Sequence, residues 1–551
     1  MRDALHCPGT CALEKRAQVP GILGLAVRLS IVAFSALIFF SCSREPDIKR
    51  PYDITIGFGA DAKRLLPLLA SDSASGDISG YIFNGLTKYD KNIKITGDLA
   101  ESWEVSRGGL RIIFHLRKGV KWHDGVELTS DDVVFTFRTV TNPNVPTPYG
   151  SNYGPVEKVE AVDTHTVRVT YKEPYAPALE SWGMGIIPKH ILEGKDVSGE
   201  EFNRNPVGTG PYKLKEWVTG QKIVLEAFDG YFEGRPGISK YIARVIPDSA
   251  TMFLELKFGG IDLMGLTPPQ YKLQSDSERF NRYFQKFRYP AFGYTYLGYN
   301  LLDPRFGDQR VRRAITYAIN KQDIIDGVLL GYGTPCTGPF PPESWAYNPD
   351  VKDPGYDPEK AKILLQEAGW KAGSDNLLYK EGKPFRFTVL INQGNDARRK
   401  TAEIIKENLK KVGIEMEIKV LEWQAMLHQF IDKKRFEAVI MGWALSRDPD
   451  TYDIWHSSKT KEGEFNFISY KNEIVDRLLL EGRRTFDFNK RKEIYNRIHR
   501  ILSDEQPVTF LFVPDGLPVL NKRFKGVEKA PLGIWYDFIH WHVPKNKAEW
   551  Y

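Results

Sequence analysis

The acidic segment Asp448-Pro-Asp450-Thr-Tyr-Asp453 has the densest set of side chains able to do chemistry. Alternating carboxylates are the ligands that Ca²⁺ prefers, so a cation site is the first chemistry to consider. The segment lacks the glycine and the closing glutamate of an EF-hand loop. An Asp-Pro turn with solvated carboxylates is therefore the favoured interpretation.

Catalytic signatures are the second class of chemistry to look for. The sequence contains no His-Glu-x-x-His, no Gly-x-Ser-x-Gly, no P-loop and no dinucleotide glycine fingerprint. Cys7 and Cys11 have no further metal ligands after them. Cys336 has no neighbouring histidine in the sequence, so we expect a small buried hydrophobe. The sequence predicts no enzyme, no catalytic residue, no metal site and no cofactor.

The composition of the chain limits the classes of partner that it is expected to bind. The chain has 551 residues with 76 basic and 70 acidic side chains, hence a formal net charge of 76 − 70 = +6. This net charge is small for a chain of this length, and the sequence has no long run of Lys or Arg. We therefore expect no nucleic-acid partner. With 42% hydrophobic residues the chain is an ordinary globular protein, and its length predicts more than one core.

The N-terminal segment indicates export. Leu29 to Phe40 is an uncharged apolar run of twelve residues that follows Arg28 and precedes Ser41 and Cys42. About 20 apolar residues are needed to span a bilayer, so residues 1–42 are predicted to be a signal peptide with lipidation at Cys42. A transmembrane anchor over residues 21–40 is the alternative. The sequence before Arg28 is long for a signal peptide, and translation starting near Val27 would explain it.

Hydrophobic periodicity predicts an α/β protein. A Thr129-x-x-Asp132 capping pattern opens one helix, and a helix from Ala397 to Val412 lies between two strands in a βαβ unit. The predicted strands are 52–57, 112–117, 166–171, 223–228, 385–391 and 414–420, and the other predicted helices are 311–328, 358–368, 472–484 and 489–503.

Several ordered motifs resemble one family. The stretch from Leu99 to Phe137, with Trp122-His-Asp-Gly125 inside it, is similar to the signature region of the oligopeptide- and dipeptide-binding proteins of bacterial ABC transporters, the family 5 solute-binding proteins. Further blocks follow in the same order, namely Gly208-Thr-Gly-Pro-Tyr212, Gly331-Tyr-Gly-Thr-Pro335, Tyr356-Asp-Pro358 to Trp370 and Gly442-Trp443. The resemblance covers roughly residues 52–543.

The resemblance implies a periplasmic-binding-protein type II-like fold, with two lobes, a hinge and three domains. The implied discontinuous domain I combines residues 43–80, 184–292 and 513–551, and domain II is 81–183. The second lobe is domain III, residues 293–512. The hinge would cross near Phe292 and Phe512, and ligand would favour the closed state by contacting both lobes.

The implied function is a receptor that delivers solute to an ABC permease and its ATPase. The ligand would be an oligopeptide or dipeptide, and the receptor would be a monomer held by lipid at the periplasmic or extracellular face. Three alternatives remain open: the same fold binding an anionic solute or a metal chelate, a sensory or chaperone-like module without a permease, and an extracytoplasmic hydrolase.

Two segments are candidates for ligand contact. In the family, the segment corresponding to Leu69–Gly76 offers a backbone edge to a peptide, which here singles out Asp72, Ser73 and Ala74. The second candidate is the loop in the second lobe that contains Trp443, Ala444, Leu445, Ser446, Arg447, Asp448 and Asp450.

The second candidate departs from the family pattern. Peptide binders usually read Gly-Trp-x-x-Asp-Tyr-x-Asp-Pro-Asp, and the first Asp binds the peptide ammonium. Here the loop is one residue shorter and Ser446-Arg447 stands at that position. Either another acid (Asp448, Asp450 or Asp72) replaces it, with Asp448 preferred, or the ligand has no amine there. Arg447 would then pair with an anion, although a solvated arginine beside Asp448 is slightly favoured.

Overall fold

The computed structural model describes residues 52–106, 108–530 and 533–544. Cys42 and the predicted signal peptide lie outside these residues. No helix within the described ranges is both long and apolar enough to cross a membrane.

The first sheet brings together strands from distant parts of the chain. Its seven strands include Asp53–Phe58 near one end of the described chain and Pro518–Asn521 near the other. Asp53–Phe58 pairs in parallel with Lys240–Val245. In spatial order the strands are Phe284–Lys286, Pro518–Asn521, Leu263–Gly265, Asp53–Phe58, Lys240–Val245, Lys222–Ala227 and Tyr212–Val218.

A smaller antiparallel sheet has its own core. Its four strands, in spatial order, are Ala100–Val105, Arg111–Leu116, Thr166–Tyr171 and Val156–Asp163. The helix Ser130–Val140 packs on it, and Thr129 and Asp132 form the predicted capping box. We call the part of the chain built on the first sheet and this small sheet the first lobe.

The second lobe is built on a second large sheet. Its central strand Gly293–Tyr299 alternates between two apolar cores, because Leu297 and Tyr299 face one core and Tyr294 and Tyr296 face the other. The other strands are Tyr289–Pro290, Val508–Gly516, Ala438–Ala444, Arg386–Asn392, Glu415–Leu421 and the short Gly333–Pro335. Arg386–Asn392 and Glu415–Leu421 pair in parallel across the helix Asp396–Lys410, which confirms the predicted βαβ unit.

The remaining elements are two small sheets and a set of helices and helical turns. Small sheets are formed by Thr87–Tyr89 with Ile95–Gly97, and by Lys371–Ala372, Leu378–Lys380 and Lys383–Pro384. The remaining α-helices are Ser73–Ile82, Ala178–Ser181, Lys189–Leu192, Glu200–Arg204, Ser249–Lys257, Glu278–Tyr283, Pro304–Gly307, Gln309–Ala318, Lys321–Gly327, Pro358–Glu367, Trp423–Ala425, Tyr452–Trp455, Glu473–Arg484 and Phe488–Glu505. Tighter and wider helical turns occupy Pro67–Leu69, Gly150–Tyr153, Gln270–Gln274, Met426–Ile431 and Trp535–His540.

The single helix predicted over residues 311–328 is wrong. The chain forms Gln309–Ala318 and Lys321–Gly327 instead. The break is caused by Asn320, whose side chain accepts hydrogen bonds from the Gln322 and Asp323 backbone N–H groups and so starts a new helix.

The chain crosses between the lobes on two paired strands. Tyr289–Pro290 pairs with the end of Val508–Gly516, and Thr295 is the register partner of Phe512. These crossings lie where the hinge is predicted, near Phe292 and Phe512. The hinge motion and the exact domain boundaries stay predictions.

The segment around Asp72 is helical. Ser73 begins the helix Ser73–Ile82, and the Asp72 carboxylate accepts from the Ser75 backbone N–H at 3.1 Å and from the Ser75 hydroxyl at 2.6 Å. The segment is thus the start of a helix, in which the Asp72 side chain caps the Ser75 N–H, and ligand contact by Asp72, Ser73 and Ala74 stays a prediction.

Removing this cap should cost stability. We expect Asp72→Ala to lower the free energy of unfolding by about 1 kcal/mol, whereas Asp72→Asn, which retains a capping oxygen, should change it little. Urea denaturation of the three proteins measures both values. Equal losses for the two variants would contradict a capping role.

Candidate functional site

A cavity lies between the two lobes. We call its enclosed part, of about 330 Å³, the small chamber. Its walls are largely aromatic or apolar and come from the first lobe, while Ser446, Asp448 and Asp450 close it from the second lobe. The principal first-lobe wall residues are Pro67, Phe83, Tyr149, Tyr153, Tyr175, Pro177, Glu180 and Met184.

A wider space adjoins the small chamber. This large chamber has a volume of about 1030 Å³ and shares Phe83, Glu180 and Ser446 with the small chamber. The two volumes lie near the lower and upper ends of the size range of a ligand site. Among the predicted site residues, Ser446, Asp448 and Asp450 line these chambers.

The two loop carboxylates are already paired. Asp448 accepts two hydrogen bonds from Arg491, at 2.5 and 2.6 Å, and Asp450 accepts one from Arg483 at 2.8 Å. Burial raises the pKa of Asp450 to about 6. The solvated turn expected here is wrong. Ammonium binding by Asp448 stays a prediction, and in this structure that carboxylate already accepts from a bidentate arginine.

A carboxylate from the first lobe faces the same loop. Glu180, in the helix Ala178–Ser181, accepts from the Asp448 backbone N–H at 3.0 Å and from the Tyr89 hydroxyl. No described Lys, Arg or His nitrogen lies within 4 Å of its oxygens. Burial, with the nearby Asp448 carboxylate, raises the pKa of Glu180 to about 8.

Arg447 is half-buried and forms no ion pair with Asp448. Its guanidinium lies 4.5 Å from the centre of the Phe292 ring, and Nη1 is buried without a hydrogen-bond partner among the described residues. Burial lowers its pKa. Arg447 does not line either chamber. Its anion-binding role therefore stays a prediction that neither chamber supports.

The residues before Ser446 belong to the scaffold. Trp443 and Ala444 end the strand Ala438–Ala444, where they pair with Tyr294 and Gly293. Trp443 stacks on Tyr296 with ring centres 6.4 Å apart, and the Leu445 backbone N–H donates to the Phe292 carbonyl at 2.9 Å. Ligand contact by Trp443, Ala444 and Leu445 stays a prediction.

A further pocket opens near the start of the helix Ser73–Ile82. We call this space of about 250 Å³ the arginine pocket, because Arg398 of the second lobe lines it. Ser73, Ala74 and Asp77 line it from the first lobe. Asp72 does not line it and acts as the helix cap.

Arg398 has no carboxylate partner. Its guanidinium donates to Asn392 Oδ1 at 2.7 Å and lies 5.7 Å from the Trp423 ring centre, and no described acidic oxygen lies within 4 Å. Burial lowers its pKa to about 10. A partly exposed guanidinium that faces a pocket and has no described carboxylate within 4 Å can bind an anionic group.

Glu180 and Arg398 were both missed from the sequence. Arg398 is one of two adjacent arginines in a predicted helix, and its neighbour Arg399 pairs instead with Glu403 and Asp396 on the surface. The two arginines differ only in the side of the helix on which they lie: Arg398 faces the arginine pocket, and Arg399 faces the surface. Glu180 lies 268 residues from Asp448, and no sequence signal joins the two. The described residues hold no group of three or more potential metal ligands.

The lobes touch around the small chamber. The Ala176 backbone N–H donates to the Arg483 carbonyl at 2.6 Å, and Arg484 forms an ion pair with Glu173 at 2.6 Å. With the bond between Asp448 and Glu180, these contacts hold the second-lobe loop against the first lobe. The structure thus has the geometry of a cleft closed by two lobes.

Known proteins share this architecture. The oligopeptide-binding protein AppA of Bacillus subtilis is 37% identical over 505 residues, which is 90% of this chain and 92% of that protein. The structure of that AppA in complex with a nonapeptide superposes with a TM-score of 0.85 at 35% identity, covering 90% of this chain and 99% of that one. The structure of NikZ from Campylobacter jejuni in complex with Ni(L-His) has a TM-score of 0.82 at 28% identity, covering 90% and 100%.

The family profile of the bacterial extracellular solute-binding proteins, family 5, matches residues 94–465. This match includes the region from which the resemblance was inferred, and it confirms both the family and the two-lobed α/β fold. The chain therefore belongs to family 5 of the bacterial extracellular solute-binding proteins.

Proposed function

We propose that this chain is the receptor of an ABC importer, binding peptides between its lobes and delivering them to the permease. The observation that carries the proposal is a closed cleft with an unmatched carboxylate, Glu180, on one side of the helix Ser73–Ile82 and an unmatched guanidinium, Arg398, on the other. A peptide has an ammonium and a carboxylate to place there.

The affinity required is modest. A micromolar receptor needs about 8 kcal/mol of net binding energy. Backbone hydrogen bonds to an extended peptide, with burial of side chains against aromatic walls such as Phe83 and Tyr175, supply this without strict side-chain selection. The resemblance to an oligopeptide-binding protein and to its nonapeptide complex supports the same ligand class.

A metal chelate is the second candidate ligand. The likeness to NikZ in complex with Ni(L-His) favours it, since a histidine chelate also presents a carboxylate to Arg398. Native mass spectrometry of protein purified without refolding distinguishes the two ligands by mass. A retained chelate, and no peptide, would favour the second candidate.

We further propose that the receptor is a monomer without catalytic activity, held by lipid at Cys42 on the outer side of a membrane. The apolar run ending at Ser41-Cys42 supports the anchor. Turnover of a peptide library by the purified protein would revive the hydrolase alternative. Genes for permeases and ATPases beside this gene would favour a transporter over a sensory or chaperone-like module.

Peptide binding should compact the protein. Bound peptide contacts both lobes and therefore favours the closed state. Small-angle X-ray scattering of residues 43–551, with and without a library of tri- to nonapeptides at saturation, should show a smaller radius of gyration with peptide. An identical radius in both samples would contradict hinge closure.

Lipid attachment should depend on one thiol. We expect Cys42→Ala to abolish incorporation of labelled fatty acid and to leave unprocessed precursor, because the thiol is the acylated group. Ser43→Ala is the matched control and should be labelled normally. Continued labelling of the Cys42→Ala protein would remove the lipoprotein proposal.

Arg398 should bind the free carboxylate of a peptide. We expect Arg398→Gln to weaken peptide binding by about 2 kcal/mol, since it removes one partner of a shielded charge pair. Amidating the peptide C-terminus should cost a similar amount in the wild type and little more in the variant. Calorimetry measures both effects.

Arg399→Gln is the matched control for this measurement. Arg399 lies on the same helix with its charge satisfied on the surface, so its replacement should leave affinity within a few tenths of a kcal/mol. Equal losses for the two variants would indicate a general charge effect.

A further inference from the structure

The small chamber is lined by acidic side chains and by no basic one. Its lining includes three carboxylates, Glu180, Asp448 and Asp450, and no Lys, Arg or His. Two arginines behind the lining, Arg491 and Arg483, pair with the two aspartates. The third acid, Glu180, has no Lys, Arg or His nitrogen within 4 Å among the described residues, and Arg447 acts on it only from a greater distance.

The hydroxyl groups of the chamber cannot balance this charge. Tyr149 donates to the Ala70 carbonyl and Tyr153 to the Ser181 carbonyl, so both hydrogen atoms are used within the first lobe. Glu180 keeps two neutral donors, the Asp448 backbone N–H and the Tyr89 hydroxyl. These bonds orient the Glu180 carboxyl group without supplying a counter-charge, so a cationic ligand group there would stabilise its carboxylate form.

Glu180 lines the same chambers as the loop residue that stands in place of the usual acid. Ser446, which stands where peptide binders of the family have an acid, lines both chambers together with Glu180. We propose that Glu180 of the first lobe binds the α-ammonium of the peptide in place of the acid that the second-lobe loop lacks. This inference rests on the proposed peptide-binding function and specifies which side chain recognises the N-terminus.

Docking of the ammonium should release a proton. The ionisable groups that face Glu180 are Tyr89, Asp448, Asp450 and Arg447. Burial and Asp448 keep Glu180 largely protonated at pH 7, since its pKa is raised to about 8. The ammonium favours the carboxylate form and lowers that pKa. Binding at pH 7 therefore expels the Glu180 proton to solvent.

Asp77 is the competing acid. It lines the arginine pocket, and burial raises its pKa to about 6. Its pocket also contains Arg398, whose positive charge disfavours an ammonium there. The small chamber has no cation among its lining residues, which is why Glu180 is preferred.

The test uses the whole mature chain. A tri- to nonapeptide library is presented to the wild type, the best-bound sequence is identified by native mass spectrometry, and it is resynthesised with a free or an acetylated N-terminus. Calorimetry at pH 7 in phosphate and in Tris gives affinity and proton release. We expect the free peptide to bind at least about 30-fold more tightly and to release about one proton.

Variants test whether the preference for a free N-terminal amine depends on Glu180 and not on the rest of the cleft. Glu180→Gln should bind both peptides with similar affinity and release no proton. Adding Ser446→Asp to Glu180→Gln should restore the preference for the free amine, because it returns an acid to the same chamber. Glu173→Gln, the matched control, removes an inter-lobe carboxylate outside the chamber lining and should leave the ratio of the two affinities unchanged.

The outcomes distinguish this inference from the proposed function. If the wild type binds no peptide, the proposed function fails and this inference falls with it. If it binds free and acetylated peptides equally, only the assignment of Glu180 is overturned. Loss of the preference in Asp77→Asn but not in Glu180→Gln would also overturn it, in favour of the arginine pocket.

Discussion

Two shielded arginine–carboxylate pairs fix the arrangement of the second-lobe loop at the site. Arg491 and Arg483 hold Asp448 and Asp450 from behind the second-lobe loop, at 2.5 and 2.8 Å. A buried charge left without its partner costs several kcal/mol, so these pairs fix the loop in one arrangement. Ser446 is thereby presented to the cavity, while the aspartates are withdrawn from ligand pairing.

As a consequence, the two lobes contribute different charged groups to the site. The second lobe contributes paired carboxylates, and the first lobe contributes Glu180, whose carboxylate accepts from the Asp448 backbone N–H. This bond forms only when the lobes meet. Under the proposed hinge closure, the closing of the lobes and the completion of the charged site would depend on the same contact, so a ligand that needs the site would favour the closed state.

The helix Ser73–Ile82 lies between the small chamber and the arginine pocket. Gly76, Ser79 and Gly80 face the small chamber, and Ser73, Ala74 and Asp77 face the arginine pocket. Ala74 and Gly80 are six residues apart, so the helix spaces the two openings by about 9 Å. An extended zwitterionic ligand has its opposite charges at comparable separation.

The sequence by itself determined the architecture. Ordered motifs from Leu99 to Trp443 identified the family, and local patterns such as the Thr129–Asp132 capping box and the βαβ unit around Asp396–Lys410 predicted elements correctly. These signals are local, since hydrophobic period and helix caps depend on neighbours in the chain. The tertiary structure alone decided the charges of the site. It paired Asp448 with Arg491, directed Arg398 into a pocket and brought Glu180 across the cleft, because which carboxylate remains unmatched depends on contacts between residues far apart in the chain.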